Sequence, residues 1–257
     1  MKLFTRLFPL FLVVLLTACA TVEPLPKETV AQLKRVGVVS HTGDSLYKQY
    51  IGVTVFGNER DLQDITDWKL DETYSEQVAA AVKVVFKAEP LVLAQYRREF
   101  AEVNSLNGPW AAPAFWGPNF NKIGEVTRRA CSEQNLDAVI VVSRWQSEDI
   151  LGATNQKVEG VGVYARRGMA MAHVLSKVGF MDCKSGKPLT VARVMKAATP
   201  PNDAFQKRLV TAPVDPQVAA KPFSTWSQAE KNGLRALLSA LPKEAWGSTL
   251  RAMIPTQ

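Results

Sequence analysis

The stretch NLDAVIVVSRW, residues 135–145, decides the fold class of this chain. Its apolar, β-branched centre lies between polar residues, which is typical of a buried strand. The segment before it, from about residue 120 to residue 134, carries its apolar side chains at helical spacing. The sequence therefore predicts a helix that leads directly into a central strand.

The chain upstream of this unit repeats the alternation of strand and helix. Apolar runs at 35–40 and 51–58 predict two strands. A helix is predicted from about residue 72, with Asp71 available to cap it, and a short strand follows at 91–95. These elements supply the partners that a central strand needs for a sheet.

Two further strands are predicted downstream. The runs MAMAHVLSKVGFM and LTVARVMK flank residues 182–188, whose composition is typical of a hairpin turn. We expect these runs to pair antiparallel. Residues 197–222 are rich in proline and predict an extended connection, and the remainder of the chain predicts two amphipathic helices separated by Pro242.

These elements follow the order β-β-α-β-α-β-β-β, with helices at the carboxyl end. Short helices that alternate with strands, followed by a strand meander, favour an α/β (α+β) fold. We expect a mixed β-sheet with helices packed on it.

The first residues resemble a secretory signal peptide. Lys2 and Arg6 precede the uncharged run LFPLFLVVLL, residues 7–16. Ten residues rise only about 15 Å as a helix, which is roughly half of a hydrocarbon core. The run therefore predicts a cleaved leader.

The end of this run, Leu16-Thr17-Ala18-Cys19, resembles the bacterial lipobox. That resemblance implies cleavage before Cys19, acylation of the cysteine and anchoring to the lipid bilayer. Stable anchoring needs two or more acyl chains. Ala20 stands where an aspartate would imply retention at the inner membrane, so the resemblance implies an outer-membrane lipoprotein that faces the periplasm. The alternative is an ordinary signal peptide with an incidental cysteine.

The predicted boundaries divide the chain into five parts. They are the signal peptide 1–18, a lipidated tether 19–34, an α/β periplasmic domain 35–196, the Pro-rich connection 197–222 and carboxyl-terminal helices 223–257 packed on the same domain. Fully extended, the tether would reach about 50 Å.

Two segments of the predicted domain resemble known periplasmic proteins. NLDAVIVVSRW and MDCKSGKPLTVARV resemble paired strands of the amino-terminal domain of TolB and of curli-secretion-type lipoproteins. The resemblance covers roughly residues 35–196 and describes a fold more than an activity. It implies a periplasmic α/β domain, and it adds a ring-forming secretion-type subunit as one alternative function.

Two cysteines remain once Cys19 is assigned to lipid. In the predicted fold, Cys131 lies near the carboxyl end of a helix, and Cys183 lies in a strand-connecting turn at the same end of the sheet. We expect a disulfide between them, because exported proteins occupy an oxidising compartment. The alternative is two buried thiols that do not meet.

A catalytic triad is the first chemical motif to weigh. Ser40, His41 and Asp44 are the residue types of a serine hydrolase, but adjacent side chains on a strand point to opposite faces. We therefore treat an envelope hydrolase as an alternative function and predict no catalytic residue.

Asp64, Asp67 and Glu72 are the second candidate, as a carboxylate pair for glycoside cleavage. A solvated acidic loop is the interpretation that we favour for them. The sequence contains no spacing typical of a metal site and no phosphate-binding loop, so no metal or cofactor is predicted.

An aromatic loop, NGPWAAPAFWGPNF at 107–120, stands out from the rest of the chain. Trp110, Phe115, Trp116 and Phe120 bury much area at low entropic cost, which is typical of a partner-binding surface. The alternative is a lid packed on the core.

The net charge of +7 is concentrated late in the chain. Residues 151–257 contain fifteen basic and six acidic residues, a pattern that suits anionic headgroups, an acidic partner or solvent. Nucleic acid is excluded as a partner because the exported compartment holds little of it.

The sequence thus predicts a non-enzymatic lipoprotein, anchored to the bilayer through acylated Cys19 and acting as a binding or assembly module of the cell envelope. An envelope protein is the predicted partner, and the sequence leaves the oligomeric state undetermined.

Overall fold

The computed structural model describes residues 23–52, 58–103, 123–147, 158–166, 168–197 and 205–255. These residues form a mixed sheet of ten strands with helices packed on it, which confirms the predicted α/β fold class. The strands are β1 Arg35–His41, β2 Ser45–Tyr50, β3 Glu59–Asp64, β4 Glu89–Val92, β5 Ala138–Arg144, β6 Gln146–Ser147, β7 Val158–Arg166, β8 Met169–Asp182, β9 Pro188–Arg193 and β10 Thr211–Pro213.

Helices occur before, between and after these strands, and no helix in the described ranges is long and apolar enough to cross a bilayer. They are α1 Lys27–Gln32, α2 Leu70–Val85, α3 Arg97–Val103, α4 Gly124–Gln134, α5 Phe205–Arg208, α6 Pro216–Ala220, α7 Gln228–Ala240 and α8 Lys243–Ala252.

The 14-residue strand β8 joins two half-sheets. Its later residues pair with β5 and β9, which gives a lower half-sheet in the order β9-β8-β5-β1-β4. Its earlier residues pair with β7 and β10, which gives an upper half-sheet in the order β10-β8-β7-β2-β3. The chain passes from the lower to the upper half-sheet directly after β1.

One face of the sheet is covered by α2, α7 and α8. Val78 and Val82 of α2 belong to the same buried cluster as Trp246 of α8. Trp246 is fully buried, and its indole N–H donates to Gln77 Oε1 at 3.0 Å. The hydroxyl of Tyr74 donates to the carbonyl of Leu238 on α7, also at 3.0 Å. The carboxyl-terminal helices are therefore tied to α2 by both packing and hydrogen bonds.

The opposite face is covered by α3 and α4. Phe100 of α3 and Val126 of α4 pack with Val139 and Val141 of β5. Their neighbour Ile140 belongs to the cluster on the other face, because successive side chains of a strand point to opposite sides. β5 is buried along almost its whole length, as the sequence of 135–145 predicts.

The hairpin prediction is confirmed by β8 and β9, which pair antiparallel around a turn in which Asp182 accepts from Ser185. The prediction of a strand at 51–58 is wrong for its first residues. The pairing strands are β2 and β3 on either side, and residues 53–57 lie outside the described ranges. β2 contains Lys48 and Gln49, and β3 is an edge strand of mainly charged residues, so neither shows an apolar pattern.

Strand β7 is absent from the sequence-based prediction because two glycines interrupt its apolar pattern. A Cβ atom at Gly162 would lie 2.0 Å from the carbonyl oxygen of Tyr47 on the neighbouring strand β2. A glycine is therefore required for the close parallel approach of β2 and β7. A sequence pattern cannot distinguish such a glycine from a loop residue.

Two local predictions also need correction. The capping position of α2 is Lys69 in the left-handed conformation, with φ of 53° and no side-chain cap, whereas Asp71 lies in the first turn. The predicted extended connection at 197–222 contains α5, β10 and α6, while residues 198–204 lie outside the described ranges. Asp215 caps α6 by accepting from the N–H of Gln217 at 2.8 Å.

Candidate functional site

The candidate site lies at the carboxyl end of β1. This strand pairs in parallel with β4 on one side and with β5 on the other. The chain reaches β4 through α2 on one face and then returns to β5 through α4 on the opposite face. Ligands of open α/β sheets bind where the strand order reverses in this way, outside the carboxyl ends of the strands.

Asp71 fixes the loop that leaves β1 at this point. Its side chain is 2% exposed, and Oδ1 accepts from the Ser40 hydroxyl at 2.6 Å and from the N–H groups of Thr42 and Gly43 at 2.7 and 3.0 Å. The Ser75 hydroxyl accepts from the N–H of Ser40 at 3.0 Å. A carboxylate in the first turn of α2 also lies at the positive end of the helix dipole.

Asp44 lies on the solvent side of the Asp71 carboxylate and forms a hydrogen bond with it. Its hydrogen bond with Asp71, partial burial and the charge of Asp71 together raise the pKa of Asp44 to about 7, against the opposing charge of Arg97. Within the described residues, Asp71 Oδ2 has no other hydrogen-bond partner. A protonated Asp44 is the donor that this hydrogen bond requires, which is why the bond with Asp71 favours the protonated form of Asp44. This places an acid with a pKa of about 7, open to solvent on one side, at the carboxyl end of β1.

His41 does not form a triad with Ser40 and Asp44. The Ser40 hydroxyl is bonded to Asp71, and the His41 ring meets Ser143 of β5 instead, at 2.7 Å from Nε2 to Oγ. Burial lowers the pKa of His41 to about 4, so the ring is neutral at pH 7. Ser143 is fully buried, so its hydroxyl is not exposed to solvent.

The rim of the site is basic as well as acidic. Arg97 of α3 pairs with Glu72 of α2 at 2.7 Å, and both side chains are partly exposed. On the upper half-sheet side, Arg144 donates to the Tyr47 hydroxyl at 2.8 Å. An incoming ligand would therefore meet a titrating carboxyl beside a guanidinium.

The acidic residues of 64–72 do not form the predicted carboxylate pair, because Asp64 and Glu72 have separate partners. Asp64 accepts from the N–H and hydroxyl of Thr66, and those hydrogen bonds lower its pKa. Glu72 is bound to Arg97, and Asp67 is exposed. The carboxyl group that Asp71 meets is Asp44, which a sequence pattern places in a turn. No group of three potential metal ligands occurs within the described ranges.

The remaining predicted site residues divide into two sets. Cys131 at the end of α4 and Cys183 in the turn after β8 form a disulfide with a Cα–Cα distance of 5.6 Å, which confirms the predicted pairing. The residues outside the described ranges are the proposed lipidation site and the aromatic loop: Cys19, Trp110, Phe115, Trp116 and Phe120.

Comparisons with known proteins add little to this picture. No protein-family model matches the chain, and no curated protein matches it. Among solved structures, the PelC dodecamer from Paraburkholderia phytofirmans is 9% identical with a TM-score of 0.33, over 92% of this chain and 96% of that chain. A variant of the same PelC dodecamer gives 9% identity and a TM-score of 0.30, over 87% and 90%. No function is transferred from a likeness this slight.

An Asp44→Asn variant is expected to gain stability relative to the wild type as the pH rises. The pKa of Asp44 is raised from 3.8 to about 7, so the folded protein binds more protons than the unfolded chain between these values. The stabilisation that the protonated Asp44 gives the wild type is fully present below about pH 4 and is lost as the pH rises through 7. The asparagine amide donates to Asp71 at every pH. Because Asp44 is exposed, we expect a gain of only about 1 kcal/mol at pH 8 and none at pH 4.

Urea unfolding of both proteins at pH 4, 6 and 8 measures this difference. Asp67→Asn, which neutralises an exposed carboxylate in the segment between β3 and α2, is the matched control. A difference in unfolding free energy between Asp44→Asn and the wild type that stays constant over this range would show that the pKa of Asp44 is not raised in the folded protein.

Proposed function

We propose that this chain is an outer-membrane lipoprotein that faces the periplasm and acts as a binding or assembly module of the cell envelope. The basic residues Lys2 and Arg6, the apolar run at 7–16 and the lipobox that ends at Cys19 support export and acylation. Its partners would be the bilayer, through acylated Cys19, and an envelope protein.

The observation that carries this proposal is the disulfide between Cys131 and Cys183. Disulfides persist in exported proteins and are rare in the reducing cytosol. The chain contains three cysteines, so this pairing leaves Cys19 as the thiol available for lipid. An oxidised pair in the body and a lipobox cysteine at the leader are consistent with the same compartment.

Binding is proposed rather than hydrolysis because of the geometry around His41. Its serine partner, Ser143, is fully buried, and Asp44 forms a hydrogen bond with Asp71. The groups that face solvent, Asp44 and Arg97, suit hydrogen bonding and charge pairing with a ligand. A His41→Ala variant should therefore keep its binding partner, whereas a triad hydrolase would lose its activity.

A Cys19→Ala variant is expected to lose its lipid and leave the membrane. Growth with an alkynyl palmitate analogue, followed by click labelling, should mark the wild-type protein and leave this variant unmarked. The lipid is attached to the cysteine sulfur and to the amino terminus formed by cleavage, and alanine lacks the sulfur. A protein that carries a single acyl chain binds the membrane only weakly. Envelope fractionation should move the variant from the outer membrane to the soluble periplasm.

The matched control is the Cys131→Ala/Cys183→Ala double variant, which removes two cysteines and keeps Cys19. It should be labelled as strongly as the wild type. Label that persists in Cys19→Ala, or label lost in the double variant, would contradict the assignment of the lipid to Cys19.

The partner is sought by crosslinking in intact envelopes and affinity purification. Wild type and a Trp110→Ala/Trp116→Ala variant are compared, because these side chains belong to the predicted partner-binding loop. A protein that is recovered with the wild type but not with the variant supports the proposal that this chain is a binding or assembly module. No recovered protein in either sample counts against it.

A further inference from the structure

The first described residues of the chain are fixed on the folded body. The carbonyl of Glu23 accepts a hydrogen bond from the Thr190 hydroxyl on β9. The N–H of Leu25 donates to the carbonyl of Met253, just beyond α8, at 2.8 Å. The Leu25 side chain is 1% exposed, and α1 begins two residues later. From residue 23 onward, the chain is therefore packed against the folded domain.

This docking leaves a short connection to the lipobox. Residues 20–22 are all that separate Cys19 from Glu23 in the sequence. Four Cα-to-Cα steps span at most about 14 Å, compared with about 50 Å for a free tether that extends to residue 34. An acyl group on Cys19 thus brings the docking point of Glu23 and Leu25 to within about 14 Å of the lipid headgroups.

The chain segments that meet at this docking point carry more basic than acidic residues. Within three residues of Glu23, Leu25, Thr190 or Met253, the described charged residues are the bases Lys27, Lys187, Arg193 and Arg251 and the acids Glu23 and Glu28. Arg193 lies over the ring of Trp145, at 4.7 Å from the centroid. The other three bases are exposed.

We propose that β9, the carboxyl end of α8 and residues 23–28 form a membrane-facing edge that rests on anionic lipid headgroups. The inference depends on the acylation of Cys19 proposed above. The short connection supplies proximity, and Lys27, Lys187 and Arg251 supply charge complementarity to a negatively charged bilayer surface.

This orientation keeps the candidate site off the bilayer. β9 is one edge of the lower half-sheet, and β1 is the third strand away from it, about 14 Å at the usual strand spacing. Asp44 and Arg97 lie at the carboxyl end of β1 and remain open to a periplasmic ligand. The fold would then present one edge to lipid and another region to a partner.

Fluorescence quenching on vesicles tests the orientation. The acylated full chain, labelled at Ala252→Cys on α8 or at Leu62→Cys on β3, is reconstituted into phosphatidylethanolamine–phosphatidylglycerol vesicles that contain a headgroup spin label. Both positions are exposed, and β3 is the terminal strand of the upper half-sheet. We expect strong quenching at position 252 and none at position 62.

Charge neutralisation tests the headgroup contact without the anchor. The mature chain from residue 19 onward, with Cys19→Ser, is compared with variants that add Lys27→Gln, Lys187→Gln or Arg251→Gln, by sedimentation with phosphatidylglycerol vesicles. Each variant is expected to lower the partition constant about fivefold. Arg235→Gln, an exposed base of α7, is the control and should leave it unchanged.

The outcomes separate this inference from the lipoprotein proposal. Acylated, vesicle-bound protein with equal quenching at positions 252 and 62 overturns the orientation and leaves the anchor intact. Unchanged partition in all three neutralised variants overturns the headgroup contact. Absence of palmitate label on Cys19 overturns both proposals.

Discussion

An Asp71→Ala variant is expected to lose about 3 to 4 kcal/mol of unfolding free energy. The substitution removes the acceptor of the Ser40 hydroxyl and of the N–H groups of Thr42 and Gly43. All of these groups are buried, and a buried donor without a partner costs about 1 to 3 kcal/mol. Relief of the repulsion from Asp44 offsets part of this sum. Guanidinium unfolding at pH 7 measures the difference.

Asp71→Asn is the matched control, because its amide oxygen still accepts from Thr42 and Gly43. We expect it to retain most of the stability that Asp71→Ala loses. A second readout is specific to Asp44: in Asp71→Ala, the pKa of Asp44 should fall from about 7 toward its ordinary value of 3.8, as followed by carboxyl NMR. An Asp71→Ala variant as stable as the wild type would show that the loop does not depend on this carboxylate.

Removal of the disulfide has an effect of similar size. Cys131 and Cys183 are 52 residues apart, and a cross-link that closes a loop of this length stabilises the folded state by about 4 kcal/mol through the unfolded chain. A Cys131→Ala/Cys183→Ala variant should therefore unfold at a clearly lower guanidinium concentration. Reduction of the wild type by dithiothreitol should produce a similar shift.

The comparison is made in chains that also carry Cys19→Ser, so that no other thiol exchanges with the pair. In the double variant, dithiothreitol should have no effect. A loss below about 1 kcal/mol would indicate that the unfolded chain is already restricted without the bond. The same experiment bears on function, because an exported protein is expected to keep this bond oxidised.

The sequence alone determined the elements whose signal is local. The buried strand β5, the helix α4 before it and the hairpin of β8 and β9 all follow from periodicity and turn composition. The Cys131–Cys183 bond followed once these elements were placed in order, because it joins the ends of neighbouring segments. Where buried side chains recur at regular spacing along a segment, a single sequence is enough to predict the helix or strand.

Only the tertiary structure decided the elements that lack such a pattern. β2 and β3 are polar strands, and β7 is interrupted by a glycine that packs against the backbone of β2. The candidate site was decided in the same way. Ser143 meets His41 across 102 residues and Asp71 meets Ser40 across 31, in bonds that depend on strand register and on the position of α2. A hydrogen bond between distant segments leaves no periodic trace in the chain, because it is fixed by the geometry of the fold and by burial rather than by local composition.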